Sequence, residues 1–221
     1  MSIYTNGTGD SLIDDERLPV LMRRYLAWER SHLRRLLKGH ACLVEVGCMT
    51  GRHVLDASER GIQYIGIDVS LQYIKRARAR WRGHKHTEFH CADAVDLREV
   101  LLSTELEEPA LVFYPFNSIG NMECVDAALD AIHKASRTFL IGTYGTSKWA
   151  TAKRIDYYRN CGFSRVRARR ESDGIRCIDP SGLNSMAYFD VFFRRRLPDK
   201  AFQLRRLSRG RLGRLYVGRA R

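Results

Sequence analysis

A short glycine-bearing turn that follows an apolar run constrains the fold of this 221-residue chain more than any other feature. The run 42–44 leads into Glu45, and Gly47 and Gly51 follow closely. A helix-like stretch comes next, and a second apolar run ends in Asp68. Glycines let the backbone approach a ligand, and an acid at the tip of the second strand can accept hydrogen bonds from ribose hydroxyls. The segment therefore predicts a βαβ unit that binds a nucleoside-type cofactor.

The spacing of these glycines indicates which cofactor binds. A dinucleotide-binding loop needs three glycines in the pattern G-x-G-x-x-G, whereas this loop has only Gly47 and Gly51. In another family, the first sequence motif is an acidic residue followed by a glycine loop at the end of a strand. Glu45, Gly47 and Gly51 match that motif, with Met49 at the position of its middle glycine. On these residues, the stretch 40–145 resembles a class I S-adenosylmethionine (SAM)-dependent methyltransferase of the small-molecule type.

Three later segments carry the same resemblance in the expected order. Asp68 matches the acid that binds ribose, and Asp93 matches the acid that meets the adenine amino group. Residues 110–117 match the fourth strand and the active-site lip beyond it. The resemblance implies that SAM is the cofactor and that the protein transfers its methyl group. The residues that the loop position and the resemblance assign to cofactor binding are Glu45, Gly47, Cys48, Met49, Gly51, Asp68, Val69, Asp93, Ala94 and Phe116.

Three polar side chains are candidates for the chemistry. Asn117 follows the fourth strand, where it could hold the substrate or the methionyl part of SAM, or could equally stabilise a turn. Tyr144 lies just past the fifth strand and would face the same cleft. Tyr25 belongs to the N-terminal helix, which covers the cofactor in related enzymes, and a core aromatic is the alternative role. Methyl transfer is an in-line displacement, so these groups would act mainly by positioning.

The apolar runs and the resemblance together predict an α/β fold. We expect a doubly wound, seven-stranded, mostly parallel sheet with a C-terminal antiparallel hairpin, an N-terminal helical lid and an extra β-hairpin. One methyltransferase domain would cover residues 1–221. It would contain an N-terminal arm and helices over 1–38, a cofactor-binding core over 40–145, and a substrate-side hairpin with closing strands over 146–221.

The positions of proline, glycine and serine predict where several helices and turns begin and end. Pro19 lies inside an apolar-periodic stretch, so residues 14–38 are expected to form two helices with a bend there. The dipeptide 173–174 is Asp-Gly, which predicts the turn of the extra hairpin over 163–179. Ser185 is expected to cap a helix that runs through Leu197. Residues 202–207 and 214–219 are expected to pair as the closing strands.

The composition of the chain predicts where in the cell the protein is located. No apolar stretch reaches the ~18 residues needed to cross a bilayer, and the first ten residues carry no basic-then-apolar signal. We therefore expect a cytoplasmic protein with no membrane partner. The six cysteines are scattered, without a C-x-x-C pair or a His/Cys cluster at zinc spacing, so no metal is expected.

The positive charge is concentrated at one end of the chain. The formal net charge is +13, and residues 138–221 alone hold 20 basic and 6 acidic side chains. This excess would suit an acidic small-molecule substrate or a nucleic acid, or it would simply coat solvated faces. Three functions stay open: a small-molecule methyltransferase of bacterial specialised metabolism, favoured by the segment 115–121, an RNA methyltransferase, or a non-catalytic SAM-binding module.

Overall fold

Two sheets and seven α-helices make up the described part of the computed structural model, which comprises residues 3–4, 9–14, 16–135, 138–197, 202–209 and 211–220. The strands are β1 (Cys42–Val46), β2 (Gln63–Asp68), β3 (Thr87–Cys91), β4 (Ala110–Tyr114), β5 (Thr138–Tyr144), β6 (Arg167–Arg170), β7 (Gly174–Asp179), β8 (Leu183–Tyr188), β9 (Phe202–Arg209) and β10 (Gly213–Ala220). The helices are α1 (Val20–Leu36), α2 (Val54–Ser58), α3 (Leu71–Arg80), α4 (Leu97–Leu102), α5 (Val125–Ala135), α6 (Lys148–Asn160) and α7 (Asp190–Arg196).

The main sheet has seven strands in the order β3-β2-β1-β4-β5-β10-β9. The first five pair in parallel, and β10 pairs antiparallel with both β5 and β9. The predicted doubly wound sheet and its closing antiparallel pair are thus confirmed. Chain order reverses where β1 lies between β2 and β4, and ligands of such sheets bind beyond the carboxyl ends of the strands at that point.

Two buried clusters cover the faces of this sheet. Along β1, Leu43 belongs to one cluster, and its neighbours Cys42 and Val44 belong to the other. Along β4, Phe113 and Tyr114 divide in the same way. Successive strand side chains point to opposite faces, so each cluster fills one side of the sheet. This explains why these strands read as continuous apolar runs in the sequence.

The N-terminal helical region differs from the prediction of two bent helices. One α-helix runs over Val20–Leu36, and Pro19 is its N-cap. The residues before it form turns, with a short 3₁₀ helix at Gly9–Leu12. Proline lacks an N–H and its ring disfavours a preceding helical turn, so the helix begins after Pro19 rather than bending at it. The prediction of a second helix was wrong.

The extra hairpin is part of a three-stranded antiparallel sheet in the order β6-β7-β8. The predicted Asp173–Gly174 turn does join the first two strands. The prediction that Ser185 caps a helix was wrong, because Ser185 lies within β8 and pairs with Cys177. Helix α7 begins only at Asp190. Pairing with β7 therefore overrides the local helix signal at this serine.

No helix in the described ranges combines the length and the apolar composition that crossing a bilayer requires.

Candidate active site

A cavity of about 280 Å³ opens beyond the carboxyl ends of β1, β2, β4 and β5. Its two ends differ in chemistry because β2 and β5 lie on opposite sides of the β1–β4 pair. We call one the acidic end, lined by Gly47, Met49, Asp68, Asp93 and Asn121. The other is the tyrosine end, lined by Tyr4, Tyr144, Tyr157, Tyr158 and Ser185. Phe116 and Asn117, which follow β4, line the wall between them.

The glycine loop turns sharply at the tip of β1. Gly47 has φ 81°, and a Cβ there would lie 2.8 Å from the Cβ of Ser118, so only glycine suits the position. Its N–H donates to the Ile67 carbonyl at the end of β2 at 2.8 Å. Met49 also adopts the left-handed region, with φ 49°. A side chain at the family's middle-glycine position is thus accommodated, at the cost of backbone strain.

Asp68 anchors this loop from the end of β2. Its carboxylate accepts the Met49 N–H at Oδ2 and the Ser70 N–H at Oδ1, each at 2.9 Å. The side chain is buried, which raises its pKa to about 6, although both hydrogen bonds act in the opposite direction. Each oxygen accepts one hydrogen bond from the described residues, so each keeps a lone pair for a ligand in the cavity.

The predicted site residues divide into two groups. Those that line the cavity are Gly47, Met49, Asp68, Val69, Asp93, Ala94, Phe116, Asn117 and Tyr144. Those that do not line it are Glu45, Cys48, Gly51 and Tyr25. The four residues of the second group are buried in the protein and do not contact the cavity.

Glu45 and Cys48 serve the packing below the loop. The Glu45 carboxylate is fully buried, accepting the Tyr64 hydroxyl at 2.5 Å and lying 2.7 Å from Nδ1 of His53. The Cys48 side chain is also fully buried, and burial raises the pKa of its thiol well above the ordinary value. The expectation that Cys48 lines the pocket was wrong, because its side chain packs against β2 beside Gly66.

Asn117 follows Phe116, and both adopt the left-handed region, with φ 62° and 43°. The Asn117 Oδ1 accepts the Thr143 hydroxyl at 2.7 Å. Its Nδ2 donates to the Met186 carbonyl at 3.0 Å and to the Ser185 Oγ at 3.1 Å. Both amide protons are therefore used inside the protein, and the side chain braces β8 against the lip after β4.

Sequence reasoning missed Glu29, which lies beneath this lip. The Glu29 carboxylate is buried, and both oxygens lie within 3.2 Å of the Phe116 backbone N–H, which donates to them. Burial raises the pKa of Glu29 to about 7. It approaches so closely because Gly142 has no side chain, since a Cβ there would lie 1.7 Å from Oε2. A glutamate on the otherwise apolar face of α1 was the available signal.

Tyr25 supports the same lip from α1. Its hydroxyl lies 3.1 Å from the Thr143 carbonyl oxygen and 3.3 Å from Glu29 Oε2. Its ring centroid lies 5.9 Å from that of Phe116 and 6.0 Å from that of Tyr144. The side chain is buried in the core, so the structure places it behind the cavity wall rather than in it.

The tyrosine end was also missed, apart from Tyr144. Tyr157 and Tyr158 come from α6 and Ser185 from β8, two elements that follow the cofactor-binding core in sequence. The Tyr158 hydroxyl donates to the Ser185 Oγ at 2.8 Å, and the Tyr157 hydroxyl donates to the Leu12 carbonyl at 2.6 Å. The two adjacent tyrosines in helix α6 were the available local signal.

Within the part of the chain that the structure describes, no group of three or more His, Cys, Asp or Glu side chains is arranged to hold a metal ion.

Comparisons with known proteins agree with this geometry. Residues 43–138 match a sequence family model described as a methyltransferase domain. No curated protein matches the chain significantly in sequence. Magnesium protoporphyrin IX methyltransferase from Synechocystis PCC 6803, solved with bound SAH, is 12% identical with a TM-score of 0.65 over 99% of this chain and 97% of its own.

Two sugar-modifying enzymes share the fold as well. The sugar N-methyltransferase KedS8 from Streptoalloteichus is 16% identical with a TM-score of 0.56, over 89% of this chain and 87% of its own. CalS10 from Micromonospora echinaspora, an amino pentose methyltransferase of calicheamicin biosynthesis solved with SAM, is 13% identical with a TM-score of 0.58, over 89% and 92%. Residues 43–138 thus match a methyltransferase domain, and the chain shares the fold of SAM-dependent methyltransferases, with a cavity at the ends of its strands.

Proposed function

We propose that this protein transfers the methyl group of SAM to a small-molecule acceptor, with SAM in the acidic end of the cavity and the acceptor in the tyrosine end. The observation that carries the proposal is the division of one cavity into two ends of different chemistry at the switch point of the sheet. One end suits a nucleoside with hydroxyl and amino groups. The other offers aromatic rings and hydroxyls.

The residues of the acidic end fit SAM. Asp68 keeps a lone pair on each oxygen, which suits ribose hydroxyls. Asp93 at the end of β3 lines the same end and would meet the adenine amino group. Asn121 Oδ1 is buried with no hydrogen-bond partner in the described residues, so it is an acceptor that a ligand donor would satisfy. Arg52 lines the cavity and is the group that would meet the methionyl carboxylate.

When bound, SAM supplies a methyl group on a positively charged sulfur, which makes that methyl electrophilic. The protein's own contribution is then to align the acceptor and exclude water. Phe116 is placed for this role, because it lines the cavity and its ring centroid lies 5.8 Å from those of Tyr144 and Tyr157. The hydrogen bond from its backbone N–H to Glu29 holds the backbone of this residue, and the rings of Tyr25, Tyr144 and Tyr157 surround its side chain.

Cavity size and fold neighbours favour a small acceptor. The cavity volume of about 280 Å³ has to serve both SAM and the acceptor, which leaves room only for a small acceptor. Neighbours named for porphyrin, sugar and amino pentose substrates support the same class. The calicheamicin enzyme supports a role in bacterial specialised metabolism. We also propose that 1–38, 40–145 and 146–221 act as one catalytic domain, because the porphyrin enzyme aligns over 99% of this chain.

The test is transfer of a labelled methyl group from SAM into a metabolite extract, with and without prior nuclease treatment. We expect label in small molecules whether or not nuclease is added. The Asp68→Ala variant should lose this incorporation, and Asp96→Ala, which alters an exposed acid outside the cavity lining, should keep it.

Two outcomes would overturn the proposal. Label confined to nuclease-sensitive material would assign the enzyme to RNA and the arginine-rich C-terminal third to RNA binding. Tight SAM binding without transfer to any extract would assign a non-catalytic role.

A further inference from the structure

A buried cation lies behind the tyrosine end of the cavity. Arg154 on α6 is fully buried. Its Nη1 donates to the Ile175 carbonyl at 3.1 Å and its Nη2 to the Ser185 carbonyl at 2.9 Å. Its guanidinium carbon lies 4.8 Å from the Tyr144 ring centroid, and Nε has no hydrogen-bond partner in the described residues. Burying a charge is costly unless the charge is paired.

The groups around Arg154 do not neutralise it. Its principal electrostatic partners are Tyr158, Cys177 and Tyr144, and none of the ion pairs formed by described residues includes it. Burial raises the pKa of both tyrosine hydroxyls and of the Cys177 thiol, so all three stay neutral near pH 7. The tyrosine end therefore carries an uncompensated positive charge within the described part of the protein.

Hydrogen bonds from Arg154 and its neighbours lead through Ser185 toward the cavity. Arg154 donates to the Ser185 carbonyl, and its guanidinium carbon lies 6.0 Å from the ring centroid of Tyr158, whose hydroxyl donates to the Ser185 Oγ at 2.8 Å. Nδ2 of Asn117 donates to the same oxygen at 3.1 Å, and because Nδ2 also contacts the Met186 carbonyl, the orientation of the amide is fixed. Both lone pairs of Ser185 are then used. Its proton is left to donate toward the cavity, which Ser185 and Tyr4 both line.

We infer that the tyrosine end binds an oxyanion of the acceptor, either a carboxylate or an ionised hydroxyl, with Arg154 as its buried counter-charge. The inference deepens the proposed function and rests on it. Arg154 lies behind Tyr144 and Tyr158 and does not line the cavity, so an anion there would compensate its charge through space and would accept the hydrogen bond that Ser185 directs toward the cavity. An ammonium group would instead meet a like charge in a low-dielectric wall, which excludes amines from this end.

The experiment measures probe binding to the full-length protein saturated with SAH, by ligand-observed NMR at about pH 8. Four probes of similar size differ in charge: benzoate, 4-nitrophenolate, benzyl alcohol and benzylamine. We expect at least one of the two anions to bind about tenfold more tightly than benzyl alcohol, and benzylamine not to bind. Whichever anion binds more tightly identifies a carboxylate or an ionised hydroxyl as the natural group.

Two variants and a matched control test whether the preference for anions depends on Arg154 and Ser185. Arg154→Met should abolish the preference for anions, and Ser185→Ala should weaken it severalfold by removing the last donor of the relay. Lys153→Met removes a half-exposed cation from the same helix, and it should leave the preference intact. If Arg154→Met does not fold, the Ser185→Ala comparison still decides the question.

Equal binding of benzyl alcohol and the anions, or an unchanged preference in Arg154→Met or Ser185→Ala, would overturn the inference. Failure of the proposed function is distinguishable from this, because it would appear in the labelled-methyl assay of the unaltered protein, as label confined to nuclease-sensitive material or as SAM binding without transfer.

Discussion

The acidic end and the tyrosine end of the cavity are built in contrasting ways. The acidic end uses backbone turns and acids at the tips of neighbouring parallel strands, as at Gly47 and Asp68. The tyrosine end is assembled from an N-terminal residue, β5, α6 and β8. The first places carboxylates beside the cavity, and the second places the buried cation Arg154 behind its wall. Opposite charges at the two ends would hold a cationic methyl donor and an anionic acceptor each at its own end.

The largest expected effect lies at the boundary between the ends, at Glu29. Its pKa is about 7 in the folded protein against an ordinary 4.5, so between these values the folded state holds a proton that the unfolded chain has released. The stability that this proton gives is present below pH 4.5 and is lost as pH rises through about 7. Glu29→Gln stays neutral, so it should be more stable than the original protein by about 2–3 kcal/mol at pH 8.

Urea unfolding of both proteins at pH 5 and at pH 8 measures this difference. Asp68, whose pKa is also raised, to about 6, is present in both proteins and cancels in the comparison. Parallel stability curves for the two proteins would contradict this, and would show that Glu29 is ionised at neutral pH and stabilised by the nearby charge of Arg52.

Asp68→Ala sharpens the comparison at the acidic end. The substitution removes the charged acceptor that we assign to ribose and leaves the Met49 and Ser70 N–H groups without their partner. SAH binding should weaken by about 1–3 kcal/mol in calorimetry. Probe binding at the tyrosine end should not change, and unaltered SAH affinity would remove Asp68 from the cofactor site.

Met49→Gly tests whether the departure from the family loop matters. The residue already has φ 49°, a conformation that glycine adopts without strain. We expect folding stability and SAH affinity to stay within about 1 kcal/mol of those of the original protein, measured by thermal unfolding and calorimetry. A loss of folding would show that the Met49 side chain packs in a way that its cavity contact does not reveal.

The smallest effect is expected far from both ends, on β6. Arg167 and Arg169 are exposed there, as expected for two residues on one face of a strand, and Arg169 pairs with Glu171 at 2.6 Å. Reversing both charges should change stability by less than about 1 kcal/mol and leave turnover of a small acceptor unaltered. A large, salt-sensitive loss of RNA methylation in this variant would break the small-molecule interpretation.

Much of the acidic end could be predicted from sequence because its signals are local. An apolar run, a glycine turn and an acid at the next strand end lie within 27 residues, over 42–68. Strand alternation and turn chemistry act over the same short range, which is why the closing antiparallel pair, predicted over 202–207 and 214–219, lies within two residues of its observed bounds. The roles of Glu45 and Cys48 were not predicted correctly, because the motif does not determine which of its side chains face the ligand.

The tyrosine end depended on contacts between residues far apart in the chain. Phe116 meets Glu29 across 87 positions, and Tyr157 meets Leu12 across 145. Whether a polar side chain is buried, and hence whether its charge is paired, depends on what packs against it from elsewhere. Ser185 shows the same dependence, because pairing with β7 makes it a strand residue. The sequence by itself thus determined the sheet and the strand-end acids, and the tertiary structure alone placed Arg154, which forms no ion pair with the described residues, behind the tyrosine end.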